Sequence, residues 1–259
     1  MGRSWYVVLF SVFCGSVVVS HAGEVVEYAD GDETLKGYLA VPADADGPLP
    51  GVLVVPEWWG LNDYARMRAD MLAEAGFVAF APDMYGEGVT TTDPKQAGEW
   101  AGACYGDQQL WRRRATAGLK TLASRPEVDG GRVAAIGFCF GGSTAMQLAY
   151  AGADLDAVVS FHGGLEPADD GEAEAVRPEL LVLHGGADPL VPAEKAAAFV
   201  APLKDAGVTM TFVEFAGAKH AFSNPAADSY GLPPVGYDAR AAEQSWSMCV
   251  ATLERVLAK

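Results

Sequence analysis

The stretch AAIGFCFGGSTA, residues 134–145, contains the pattern G-x-C-x-G, with Cys139 between Gly137 and Gly141. The apolar run RVAAIGF, typical of a strand, precedes it, and the run GGSTAMQLAYAG, typical of a helix, follows it. Flanking glycines permit the sharp strand-to-helix turn of a nucleophile elbow, in which the central residue is usually serine. Taken alone, the pattern leaves three interpretations of Cys139: an attacking thiolate, a buried structural thiol, or the remnant of a lost site.

The chain on either side of this stretch alternates short apolar runs with amphipathic segments. Runs such as GVLVVP (51–56) and FVAFAP (77–82) are typical of strands covered on both faces. A helix is predicted from Gln108 to Ser124, with further helices between the later strands. The alternation predicts a single α/β domain over residues 23–259, with a mainly parallel sheet and helices on both faces.

Two helices carry specific predictions about their buried faces. Asn62 can cap a helix in which Met67, Met71 and Ala75 recur at helical spacing. The C-terminal helix is expected to begin near Asp238. Its predicted buried stripe comprises Trp246, Val250, Leu253 and Leu257.

Composition limits the class of partner. The chain has 259 residues, of which 50% are hydrophobic, and a net charge of −16. A nucleic-acid partner is not expected, because neutralising phosphates requires a basic face. Docking on anionic membranes is disfavoured for the same reason. The length suits one large α/β domain with a substantial core.

The N-terminus differs in kind from the rest of the chain. An apolar run of about 15 residues, 5–19, follows one arginine and precedes Ser20 and Ala22. Small residues in these positions fit a signal-peptidase site, and the run is shorter than the ~20 residues that span a bilayer. We expect residues 1–22 to be a signal peptide cleaved near Ala22. The mature protein would then be periplasmic or secreted, without stable membrane insertion; a retained anchor is the alternative.

Export changes what the cysteines imply. Loss of Cys14 with the signal leaves Cys104, Cys139 and Cys249, and an odd number implies at least one free thiol. A Cys104–Cys249 disulfide is one possibility. Two unpaired buried thiols are the other.

Two further residues follow predicted strands and complete a possible catalytic set with Cys139. Asp188 comes after ELLVLH, and His220 comes after the last strand. The order nucleophile, acid, histidine is that of α/β-hydrolases, whose sites form at the carboxyl ends of parallel strands. Asp188 would orient His220, the base that accepts the thiol proton. The alternatives are a turn-forming Asp188, an exposed His220, or His162 as the base.

The segment VVPEWWGLND, residues 54–63, leaves the third strand, where hydrolases place an oxyanion donor. We predict that the backbone N–H groups of Trp58 and Phe140 form the oxyanion hole, with Trp59 beside Trp58 at an apolar pocket edge. Glu57 is unexpected there, because a nearby carboxylate raises the pKa of a thiol.

With these residues identified, the chain resembles the dienelactone hydrolase family over residues 24–258. The resemblance rests on PEWWGLND, GFVAFAPDMYG, GFCFGG, HGGADPLVP and HAF, in this order. It implies a single-domain α/β-hydrolase fold in which Cys139 is the nucleophile, His220 the base and Asp188 the orienting acid. It also implies that Glu57 activates the nucleophile, helping to deprotonate the cysteine only when substrate displaces it.

Two neighbourhoods depart from the family pattern. Family members that act on dienelactone hold its carboxylate with arginines, whereas the matching segments here contain Gly86, Glu87 and Asn224. We therefore expect the reaction type to be shared and the named substrate not to be, because Glu87 would repel a carboxylate. Residues 112–114, all arginine, are expected to lie on a solvated helix face.

The expected function is an exported hydrolase of carboxylic esters or lactones that forms an acyl-thioester on Cys139. We expect a monomer that acts on a small molecule without a cofactor or metal ion. The alternative is a non-catalytic, exported ligand-binding protein on the same scaffold, since a fold does not by itself secure a function. A redox protein is disfavoured because the chain has no C-x-x-C motif.

Overall fold

The computed structural model of the protein describes residues 23–258, so the predicted signal peptide lies outside the described residues. The strands are β1 (Glu24–Asp30), β2 (Glu33–Ala40), β3 (Leu49–Val55), β4 (Val78–Ala81), β5 (Val128–Phe138), β6 (Ala157–Phe161), β7 (Glu179–Gly185) and β8 (Met210–Phe215). The helices are α1 (Asp63–Glu74), α2 (Pro94–Gly106), α3 (Gln108–Ala123), α4 (Phe140–Tyr150), α5 (Glu172–Ala175), α6 (Ala193–Asp205) and α7 (Ala239–Leu257), with a 3₁₀ turn at Ala227–Tyr230.

The strands form one eight-stranded sheet in the order β1-β2-β4-β3-β5-β6-β7-β8. β1 pairs antiparallel with β2, and β2 pairs antiparallel with β4. The pairings from β4 through β3, β5, β6 and β7 to β8 are all parallel. The predicted single α/β domain with a mainly parallel sheet is confirmed.

The central strands are apolar along their whole length because helices cover both faces of the sheet. In β3, Leu53 and Val55 pack in a cluster with residues of α2, α3 and α4. Their neighbours Val52 and Val54 point to the opposite face, where they pack with α1 and α7. The two layers of helices hold the carboxyl ends of the parallel strands together at one edge, where the candidate site lies.

The buried face of α1 differs from the prediction. The Asn62 side chain caps the helix by accepting from the Ala65 N–H, as expected. However, Met67 is 38% exposed, and Arg68 and Leu72 are buried instead. The methionine spacing was misleading because α1 buries an arginine, which sequence patterns assign to solvent.

The cysteines of α2 and α7 show why the suggested disulfide is wrong. Cys104 packs on the face of the sheet covered by α3 and α4, and Cys249 packs on the opposite face. Both are unpaired, buried thiols.

In α7, Leu253 and Leu257 are buried as predicted, whereas Trp246 and Val250 are only partly buried. No helix within residues 23–258 is long and apolar enough to cross a membrane.

Candidate active site

Cys139 occupies the strained turn between β5 and α4, with φ 54° and ψ −116°. A Cβ on Gly137 would collide with the carbonyl oxygen of Gly141, and a Cβ on Gly141 would collide with the carbonyl oxygen of Val55. Both glycines are therefore required by close backbone approach, and the turn presents Cys139 at the first turn of α4. The predicted elbow geometry is confirmed.

The backbone N–H of Cys139 is hydrogen-bonded to the last residue of β6 and to the residue that follows it. The Cys139 N–H lies 3.0 Å from the carbonyl oxygen of Phe161 and 3.1 Å from Nδ1 of His162. Because Nδ1 accepts this hydrogen bond, Nε2 carries the ring proton and donates to the Ser223 hydroxyl at 2.8 Å. Burial keeps the pKa of His162 well below its usual value. The suggestion that His162 is the base is wrong, since both ring nitrogens are engaged under the elbow.

The hydrogen bond between His162 and Ser223 is part of a buried polar network that the sequence did not predict. The Ser223 hydroxyl lies 2.8 Å from the Tyr64 hydroxyl, and Arg68 donates to the Ser223 carbonyl oxygen at 2.8 Å. The Arg68 guanidinium also lies over the Trp246 ring, 4.6 Å from its centroid. The available signal was the i, i+4 spacing of Tyr64 and Arg68 on the apolar side of α1. The network anchors the loop after β8 to α1.

Asp188 and His220 form a buried pair beyond the ends of β7 and β8. His220 Nδ1 lies 2.7 Å from Oδ2 of Asp188, whose Oδ1 accepts from the Leu190 N–H at 2.8 Å. Burial opposes a charge on His220, but the neighbouring Cys139 side chain and the hydrogen bond to Asp188 outweigh it and raise the pKa of His220 to about 10. The other ring nitrogen, Nε2, has no hydrogen-bond partner within the described chain. Cys139, His220 and Asp188 are thus brought together as predicted.

Glu57 follows β3 and is only 2% exposed. Asn224 donates to its Oε2 at 2.7 Å, and the second amide hydrogen of Asn224 points to the Tyr230 hydroxyl at 3.0 Å. Burial raises the pKa of Glu57 to about 7, although Asn224 and the positive charges of His220 and Arg68 act in the opposite direction. Asn224 therefore binds a carboxylate of the protein itself.

Gly86 and Glu87 lie away from the site. Glu87 is exposed and forms an ion pair with Lys36 at 2.8 Å, and the Gly86 N–H donates to Asp83 at 2.9 Å. Neither residue borders the cavity that contains Cys139. The expectation that Glu87 repels a substrate carboxylate is wrong, because the loop after β4 turns this side chain to the surface.

The three arginines of α3 are engaged in structural contacts. Arg112 donates to Gln147 at 2.8 Å, Arg113 to Asp30 at 2.8 Å, and Arg114 lies 3.2 Å from the same carboxylate. Arg114 is buried, which corrects the expected solvated face for that residue. The carboxylate of Asp30 ties α3 to the end of β1.

A cavity of about 470 Å³ opens above Cys139 and is also bordered by Glu57 and His220. Trp58 and Trp59 line it, with ring centroids 4.9 Å apart, in keeping with the predicted apolar edge. Most of the remaining wall is apolar. It includes Leu190, Val191, Leu232, Pro234 and Val235.

Both predicted oxyanion donors, Trp58 and Phe140, adjoin the site. Trp58 borders the cavity, and its carbonyl oxygen accepts from the Tyr85 hydroxyl at 3.1 Å. Phe140 is the first residue of α4, directly after Cys139. The first N–H groups of a helix lack intrahelical acceptors, so the Phe140 N–H is suited to bind an anion. Among the described residues, no cluster of three or more His, Cys, Asp or Glu side chains is arranged to hold a metal ion.

The sequence similarity to known proteins covers most of the chain. "Protein usf" of Aquifex pyrophilus is 29% identical over 241 residues, which cover 91% of this chain and 99% of that protein. A protein of Aquifex aeolicus, provisionally named a carboxymethylenebutenolidase, is 28% identical over 239 residues, covering 88% of this chain and 96% of its own.

A solved structure shares the fold closely. A dienelactone hydrolase-like promiscuous phosphotriesterase from metagenomic libraries is 41% identical, with a TM-score of 0.88, covering 90% of this chain and 98% of its own. This likeness, together with the sheet order, assigns the α/β-hydrolase fold. The model of the dienelactone hydrolase family matches residues 35–257. The chain therefore belongs to the dienelactone hydrolase family, as its motifs predicted.

Proposed function

We propose that this protein hydrolyses carboxylic esters or lactones with Cys139, His220 and Asp188 as a catalytic triad. The observation that carries the proposal is the position of Cys139 on the elbow beside His220, whose Nδ1 is held 2.7 Å from Asp188. A nucleophile, a base and an orienting acid in this relation are the parts needed for acyl transfer. The family and the relative named a carboxymethylenebutenolidase support an ester or lactone as substrate.

The first half-reaction transfers the acyl group to sulfur. The thiol proton of Cys139 passes to Nε2 of His220, and Sγ attacks the carbonyl carbon. The N–H groups of Trp58 and Phe140 stabilise the resulting oxyanion, a contribution that is typically about 2.7–4 kcal/mol per donor. When the tetrahedral intermediate collapses, the C–O bond breaks and His220 gives its proton to the leaving alkoxide. The products are an alcohol, or the ring-opened end of a lactone, and a thioester on Cys139.

Water completes the reaction in the second half. His220 takes a proton from water, and the hydroxide formed attacks the thioester carbon. The C–S bond then breaks, so the carboxylic acid leaves and the proton on His220 returns to sulfur. Asp188 keeps its hydrogen bond to Nδ1 throughout, which fixes the tautomer of His220 and stabilises its charged form.

Glu57 supports the first proton transfer. Its pKa of about 7 places it between its neutral and charged forms near neutral pH, so it opposes the thiolate less than an ordinary carboxylate would. Its charged form is attracted to protonated His220, so it favours transfer of the thiol proton to that ring. The hydrogen bond from Asn224 holds Glu57 at the cavity wall for this role.

The decisive test is the substitution Cys139→Ala, measured with p-nitrophenyl acetate. We expect hydrolysis to fall by at least about 10³-fold, because the covalent route is lost. Cys249→Ala is the matched control, since that thiol is buried on α7 outside the cavity. A Cys139→Ala protein as active as the wild type would refute the triad. An unreactive Cys139 and no activity on a broad panel of esters would favour the non-catalytic binding protein.

Phosphotriester hydrolysis is a second candidate. The observation that favours it is the 41% identity and TM-score of 0.88 to a promiscuous phosphotriesterase. A neutral phosphotriester also suits a cavity whose wall is mostly apolar. Paraoxon hydrolysis by the wild type that disappears in Cys139→Ala would support this activity, and no release of nitrophenol by the wild type would exclude it.

We also propose that residues 1–22 direct export and are cleaved near Ala22. The basis is the short apolar run with small residues at the cleavage positions. N-terminal sequencing of the protein isolated from its host should begin near Gly23. A chain that retains residues 1–22 would contradict the proposal.

A further inference from the structure

Among the described residues, one ion pair borders the candidate cavity apart from the catalytic groups. Lys195 and Glu166 both border the cavity that contains Cys139, and Lys195 Nζ lies 3.3 Å from Glu166 Oε1. Their side chains are 37% and 34% exposed, whereas Glu57 and His220 are buried. The pair is therefore more accessible to solvent than the catalytic groups.

Both members of the pair are held by ordered elements. Lys195 lies in the first turn of α6, where its N–H donates to the Pro192 carbonyl oxygen at 2.9 Å. Glu166 follows β6, and its carbonyl oxygen accepts from the Tyr150 hydroxyl at 3.0 Å. Neither backbone depends on the ion pair for its position, so either charge can be removed without dismantling the cavity wall.

Apart from the catalytic His220, the described residues around the cavity offer an anionic substrate one basic side chain. Lys195 is the only lysine or arginine that borders the cavity within the described chain. Of the two carboxylates there, Glu57 is engaged by Asn224 and Glu166 by Lys195. A substrate carboxylate must therefore compete with Glu166 for Lys195, while an uncharged group needs no ionic partner in a mostly apolar wall.

From this arrangement we propose that the Lys195–Glu166 pair determines the charge specificity of the site, favouring uncharged esters by occupying the lysine that could bind an anionic group. The proposal rests on the ester hydrolysis proposed above. It makes Lys195 and Glu166 specificity-determining residues that act on the distal part of the substrate. Neither takes part in the chemistry at the acyl carbon.

The test uses two esters of similar size, neutral p-nitrophenyl butyrate and the anionic monoester p-nitrophenyl hydrogen succinate. The readout is the ratio of kcat/KM for the anionic ester to that for the neutral ester, which cancels general effects of a substitution on the site. Glu166→Gln should raise this ratio about fivefold by freeing Lys195, and Lys195→Gln should lower it about fivefold. The double variant should return it close to the wild-type value.

Glu87→Gln is the control, because Glu87 forms a similar ion pair with Lys36 outside the cavity. It should leave the ratio unchanged. Ratios within twofold of the wild type in both single variants, or shifts of both variants in the same direction, would overturn the proposal. Absence of Cys139-dependent hydrolysis of the neutral ester would instead count against the proposed function, so the two failures are distinguishable.

Discussion

Replacing Glu57 with glutamine should change how the stability of the protein depends on pH. Burial raises the pKa of Glu57 from 4.5 to about 7 in the folded protein, whereas in the unfolded chain the group has its ordinary value. Between these two values the folded state binds more protons than the unfolded state. The free energy of unfolding of the wild type therefore falls as pH rises through this window, and the fall ends above about pH 7.

The size of the effect follows from the shift. A difference of about 2.5 pKa units, at about 1.4 kcal/mol per unit, corresponds to about 3 kcal/mol. Glutamine keeps the oxygen that accepts from Asn224 but has no proton to lose, so Glu57→Gln lacks this contribution. The difference in unfolding free energy, variant minus wild type, should be about 3 kcal/mol larger near pH 8 than near pH 4.5.

Urea denaturation of both proteins at several pH values measures this difference directly. Glu254→Gln removes a carboxylate from the exposed side of α7 and controls for the loss of one negative charge. If the curves of unfolding free energy against pH for wild type and Glu57→Gln are parallel, the reasoning is refuted. Such a result would mean that Glu57 does not titrate with a raised pKa in the folded protein.

Two further substitutions test the elbow and the network beneath it. Gly141→Ala should lower the free energy of unfolding by about 3 kcal/mol, because the new Cβ collides with the carbonyl oxygen of Val55. Gly102→Ala is the control: it lies in open space on α2 and should raise the free energy of unfolding by about 0.5–1 kcal/mol. Equal effects of the two, measured by urea denaturation, would argue against the close approach at the elbow. Arg68→Met should lower the free energy of unfolding by about 1–3 kcal/mol, because it leaves the Ser223 carbonyl oxygen unpaired. It should also raise the pKa of Glu57, because it removes a positive charge near that carboxyl group. An unchanged pH dependence of unfolding in this variant would contradict the predicted electrostatic contact.

The polar contacts around the site were the least predictable part of the molecule. Arg68 meets Ser223 across 155 residues of sequence, and Asn224 meets Glu57 across 167. No local pattern encodes such pairs, because they depend on which loops the sheet brings together. The resemblance showed only that Asn224 replaces an arginine that holds a substrate carboxylate in other family members, whereas in the fold Asn224 binds Glu57.

The amino-acid sequence was enough to predict the alternation of strands and helices, the elbow at Cys139, and the placement of Asp188 and His220 after later strands. These features are local, since they depend on apolar periodicity, on glycines that permit close backbone approach, and on residues at strand ends. Which buried polar groups meet depends on how the whole chain packs. This packing set the 2.7 Å contact between Asp188 and His220, and it raised the pKa of Glu57 to about 7. Burial and partner charges arise from long-range packing, so the chemistry of these side chains is known only once the chain has folded around them.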